Sequence, residues 1–164
     1  MTPQQKQLTD KLLKIRLSPH FMMREFRTST LYPELAERIP LDETDVLKFR
    51  LICYTILEPV WEMLNEKYRP KPVKIRILSG KRSYRLNALL GGRKRSLHLQ
   101  SMAVDFVPLI DYLVSDEVLE QTFQFIKLRL PYAFGELYWQ YRRQFIHVSL
   151  PLPGKWREAW VAKE

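Results

Sequence analysis

Residues 102–108, Met-Ala-Val-Asp-Phe-Val-Pro, set one carboxylate in the middle of an apolar run. A short run of this kind, bounded by turn residues, reads as a buried strand. A carboxylate inside it is costly unless it is paired, hydrogen-bonded or bound to a metal. Whatever this chain folds into has to bring Asp105 a partner. In an extended strand Asp105 shares a face with Ala103 and Val107. A second candidate strand, Phe-Ile-His-Val-Ser (145–149), puts His147 on one face with Phe145 and Ser149. If the two strands are neighbours, Asp105 and His147 converge. His98, in the loop leading into the first strand, can then fold back over them. Two imidazoles and one carboxylate form a three-ligand zinc site with an open fourth position, the layout of a catalytic zinc. Spacing alone also admits histidines that merely satisfy structural hydrogen bonds. The remaining histidine, His20, has no partner motif and is expected to pack or cap.

The other elements follow from periodicity. Residues 1–16 read as a short helix or arm. Ser18 before Pro19 is a helix-start signal for LSPHFMMREF. Val46, Phe49, Cys53, Ile56, Leu57, Val60, Met63 and Leu64 recur at helical spacing, with Asp42 or Thr44 as cap and a kink or break at Pro59. VKIRILS (73–79) alternates as a strand with one wet face. Ser83 caps a short helix that Gly91-Gly92 ends. MAVDFVP is a strand that Pro108 terminates. Ser115 caps a second amphipathic helix that stops before Pro131, and two further strands are expected at 133–139 and 144–150. Antiparallel-looking strands flanked by helices make the fold class α+β, with a small antiparallel sheet.

At 164 residues the chain is long enough for one domain with a real core. A single cysteine, Cys53, excludes an intrachain disulfide and a multi-cysteine zinc site, and its place on an apolar helix face reads as core. No apolar run reaches the length of a membrane span. The N-terminus, polar and basic, lacks the apolar segment of a secretory signal. The expected location is therefore cytoplasmic as synthesised, with any exit by a route the sequence does not encode. The net charge is +9, and residues 67–95 hold eleven Lys or Arg and no Asp or Glu. That stretch is either a solvated basic surface or suited to a polyanion: nucleic acid, an anionic surface, or a carboxylate-rich wall polymer. No helix-turn-helix or zinc-finger signature supports nucleic acid.

SLHLQSMAVD (96–105) resembles the S-x-H-x-x-G-x-A-x-D signature of peptidase M15, the family of zinc D-Ala-D-Ala carboxypeptidases and L-alanyl-D-glutamate endopeptidases. Ser96, His98, Ala103 and Asp105 match. The run 78–96 is similar to the family's SGYRS-x-x-LN-x-x-VGG stretch at Ser79, Gly80, Arg82, Ser83, Leu86, Asn87, Gly91 and Gly92. FIHVS resembles its terminal W-x-H-V-S, and LSPHFMMREF the HF-T-x-x-EF opening of a phage and prophage branch. The resemblance covers residues 17–150, which makes these the peptidase domain, with 1–16 an arm and 151–164 a tail. It implies a Hedgehog/DD-peptidase-like fold and zinc held by His98, Asp105 and His147. It implies that Arg82 lies near the substrate, where a guanidinium suits a peptide carboxylate or a developing oxyanion. Ser96 is a candidate for hydrogen bonding to substrate.

Three departures from the family pattern bear on the chemistry. Ser101 replaces the signature glycine. Gln144 stands where several branches carry a carboxylate three residues before the last histidine. Gln140 stands where others carry a glutamate. Hydrolysis needs a group that accepts and returns a proton, and Glu136, on the same strand face as Gln140, is the candidate left. The implied function is a zinc metallopeptidase cutting peptidoglycan stem peptides. The alternative is a catalytically degenerate relative that binds zinc or cell wall without cutting.

Overall fold

The computed structural model describes residues 1–163. The chain forms two compact units, Met1–Cys53 with Ile77–Val104, and Tyr54–Arg76 with the residues from Asp105 onward. Among the described residues no helix is long and apolar enough to cross a membrane.

The first unit opens with α1 (Pro3–Leu12). Thr2 and Gln5 cap it reciprocally and Pro3 sits in its first turn. Next comes an antiparallel hairpin of β1 (Arg16–Ser18) and β2 (Phe21–Met22). This corrects the helix expected from Ser18-Pro19. Pro19 takes the hairpin turn instead, a position its fixed φ favours, and its carbonyl accepts from Arg16 Nη1 at 2.7 Å. Only a 3-10 turn, Met23–Phe26, follows, and His20 is exposed in the hairpin turn. A short α2 (Pro33–Ala36) precedes α3 (Glu43–Ile52). Phe26 packs edge-on to Phe21 and tilted on Phe49, with centroids 6.3 and 4.8 Å away; all three rings are fully buried. Later in this unit Ser83 caps α5 (Tyr84–Leu89), and Gly91, at φ +68°, ends it. A side chain on Gly92 would strike Asn87 Oδ1, 2.1 Å from where its Cβ would lie. The Asn87–Gly92 spacing is thus a packing contact.

The break expected at Pro59 is a π turn, Cys53–Leu57, leading into α4 (Glu58–Tyr68). Proline removes one donor from the helical ladder, and a widened turn absorbs the gap. In the second unit, α4 buries Val60 and Leu64. Ser115 caps α6 (Asp116–Arg129), which buries Val118, Leu119, Phe123 and Ile126.

Five strands share a sheet in the order β3 (Val73–Ser79), β4 (Ala103–Ile110), β6 (Phe145–Ser149), β5 (Glu136–Gln140), β7 (Glu158–Ala162). Every residue of β4 is buried, and the strand runs through Pro108 rather than ending there. One missing N–H costs a ladder bond without forbidding extended backbone. β5 and β6 are antiparallel, with Tyr138 opposite His147. β7 is the strand the sequence did not announce: it lies parallel to β5, with Tyr138 opposite Trp160, and makes the sheet mixed rather than antiparallel.

Candidate metal centre

Asp105 and His147 stand on β4 and β6, neighbours in the sheet. His147 Nδ1 lies 2.7 Å from Asp105 Oδ1, and both side chains are buried. His98 sits in a 3-10 turn, Leu97–Gln100, and is buried too. Its Nδ1–H donates to the Gly80 carbonyl at 2.7 Å. That bond puts the proton on Nδ1 and leaves Nε2 as the candidate ligand atom, the usual way a backbone carbonyl fixes a metal-binding histidine. Each of the three residues offers a ligand atom, and these atoms lie within 4.8 Å of one another. Two imidazole nitrogens and a carboxylate, buried and drawn together, fit a divalent ion of the zinc type.

Glu136, at the start of β5, brings Oε2 to 3.8 Å from His147 Nε2. Burial lowers the His147 pKa, but the hydrogen bond to Asp105 and the nearby Glu136 outweigh it, so the imidazole titrates above its ordinary value. Glu136 is itself pinned, its N–H donating to Ser149 Oγ at 2.9 Å. On the same face of β5, Tyr138 stacks on the His147 ring and Trp160 of β7 tilts onto Tyr138, centroids 5.0 Å apart. Gln140, two residues beyond Tyr138 at the end of β5, lies opposite Phe145. Gln144 belongs to the β5–β6 turn at φ +50°, and its Nε2 donates to Asp116 Oδ1 at 3.1 Å. It serves the start of α6.

Arg82 Nε donates to Ser79 Oγ at 2.8 Å, and its backbone N–H donates to the His98 carbonyl at 3.0 Å. Its side chain is half-exposed, as is that of Ser96. Ser96 precedes the His98 turn and accepts the Leu99 N–H through its carbonyl. Ser101 closes the turn in the left-handed region, φ 58° and ψ 27°, which explains why the signature carries glycine there. Its hydroxyl donates to Asp45 Oδ1 at 2.6 Å.

The sequence did not single out Asp45 or Tyr138. Asp45 had a signal: it lies four residues before Phe49 on the apolar stripe of α3, a carboxylate among core positions, as Asp105 is.

The sequence from 55 to 149 matches the family model for peptidase M15. That span includes His98, Asp105, Glu136 and His147. No match is found among curated proteins.

Proposed function

The chain belongs to the peptidase M15 family, and on that premise we propose that it is a zinc-dependent peptidase acting on peptidoglycan stem peptides. One observation carries the reading: a buried His98–Asp105–His147 ligand set with a carboxylate, Glu136, 3.8 Å from one ligand. His98, Asp105 and His147 would hold the zinc, which when bound would polarise the scissile carbonyl and acidify a water. Glu136 accepts the proton that the attacking water loses and returns it to the leaving amine as the C–N bond breaks. Arg82 holds a carboxylate of the stem peptide, with Ser96 contributing a hydrogen bond. The cations near Arg82 favour a wall polymer rich in carboxylates.

The test is release of new amino groups from purified peptidoglycan, with zinc supplied, for the native chain and His98→Ala. Cleavage by the native chain alone is expected. Unchanged cleavage in His98→Ala overturns the assignment. Zinc bound at one per chain with no cleavage supports instead a binding protein that kept the ligands, the reading that Gln140 and Gln144 favour.

A further inference from the structure

We propose that Asp45 is a positioning residue that holds His98 in its ligand orientation through Ser101 and Lys81. The inference rests on the metal reading above. Asp45 is buried near the start of α3, 3 % exposed, and both its oxygens are engaged. Oδ2 accepts the Asp42 N–H at 2.8 Å and Lys81 Nζ at 2.6 Å. Oδ1 accepts the Ser101 hydroxyl at 2.6 Å.

Only the first of these bonds serves the helix. The other two grip both flanks of the His98 segment. Lys81 follows Gly80, whose carbonyl takes the His98 Nδ1–H, and precedes Arg82, whose N–H binds the His98 carbonyl. Ser101 comes three residues after His98, and its N–H also points back at the His98 carbonyl, 3.4 Å away. One helix turn on, Lys48 Nζ donates to the Gln100 carbonyl at 2.9 Å. A single carboxylate therefore ties α3 to the residue that presents the carbonyl and to the residue that ends the turn.

Ser101 explains why the tie is needed. A serine in the left-handed region is disfavoured, since its Cβ crowds the backbone. Glycine takes that conformation freely. Here the short charge-assisted bond to Asp45 holds the serine in place. Asp45 and Ser101 together do what a glycine would do alone.

The experiment measures the zinc dissociation constant by chelator competition, with thermal melting alongside. The proteins are the native chain, Asp45→Ala, Asp45→Asn, Ser101→Ala, and Asp45→Ala combined with Ser101→Gly. Supporting groups behind metal ligands change affinity by about 10- to 100-fold, so Asp45→Ala and Ser101→Ala are expected to weaken zinc at least tenfold. Adding Ser101→Gly to Asp45→Ala is expected to recover a substantial part of that loss, because glycine needs no anchor. A role confined to capping α3 lowers melting temperature and is not rescued by a change in a different loop. Asp45→Asn keeps the shape and one acceptor, and carries the test if Asp45→Ala does not fold; its amide meets one donor with another and should weaken zinc. Native affinity in Asp45→Asn and Ser101→Ala overturns the inference, as does loss in Asp45→Ala with no recovery on adding Ser101→Gly. A native chain that binds no zinc overturns the metal reading and this inference with it.

Discussion

The ring of Tyr138 lies flat against that of His147, 4.5 Å between centroids and 8° from parallel. The strand register that makes them direct partners also sets Trp160 opposite Tyr138. One aromatic wall thus backs a candidate metal ligand across three strands. A stacked aromatic pair is worth about 0.5–1.5 kcal/mol beyond its buried area. Tyr138→Ala is expected to weaken zinc by about 3- to 10-fold, whereas Tyr138→Phe keeps the stack and the affinity. Chelator competition distinguishes them, and equal affinities would deny the wall any part in holding the ring.

Glu136 is separable from the candidate ligands. Glu136→Gln preserves shape but cannot shuttle a proton, so turnover is expected to fall by about 10²- to 10⁴-fold with zinc affinity within a few-fold of native. Gln144→Ala is expected to leave turnover unchanged, since its amide is bonded to Asp116 in the turn. Initial rates on peptidoglycan check both. Full activity in Glu136→Gln would move the base elsewhere.

Asp42 gives a pH signature independent of the metal. Burial pushes its carboxyl up, but the Thr44 hydroxyl, the Asp45 and Thr44 N–H groups and Lys81 outweigh that and hold its pKa below the ordinary 3.8. A depressed folded pKa stabilises the fold at pH above the unfolded value, and that contribution is lost as pH falls through the folded one. Removing an N-cap costs about 1 kcal/mol, or about 2–4 °C in a domain of this size. Asp42→Ala is therefore expected to melt a few degrees lower at pH 7, with the gap narrowing below about pH 4. Melting curves across that range test it; a gap independent of pH would mean the carboxylate's charge does not matter.

The last strand makes its own prediction. Trp160 is half-buried against Tyr138, while Trp156 is 93 % exposed. Trp160→Ala is expected to lower the melting temperature and loosen Tyr138, and Trp156→Ala to change neither. Thermal melting and tyrosine-sensitive near-ultraviolet dichroism read the two effects. A larger loss from Trp156→Ala would contradict the register.

Much of this was legible in local pattern. VKIRILS alternates, Ser83 and Ser115 are caps, and a lone aspartate among aliphatics demands a partner; each signal is complete within a few residues. The misreadings came where two local rules competed. Pro19 can begin a helix or make a turn, and the hairpin won because Leu17 and Phe21 are both buried in the first unit. Pro108 reads as a stop, but a strand buried along its whole length continues through it. β7 escaped notice because a short edge strand next to turn residues carries little periodicity. At the site, Asp105 and His147 were found by strand alternation. Asp45 was missed because its partners, Lys81 and Ser101, lie 36 and 56 residues away and no spacing rule connects them.

Gly80 bears on how such a site can change over time. A side chain there would collide with the Phe26 carbonyl oxygen, 2.1 Å from where its Cβ would lie, and that same oxygen accepts the Lys81 N–H at 2.9 Å. The atom that sets the His98 tautomer is thus a main-chain oxygen at a position where glycine alone fits. Substitution at codon 80 can break the site but cannot retune it. Variation in how His98 is held must come through residues such as Asp45 and Ser101, the latter a position where this chain departs from the family signature.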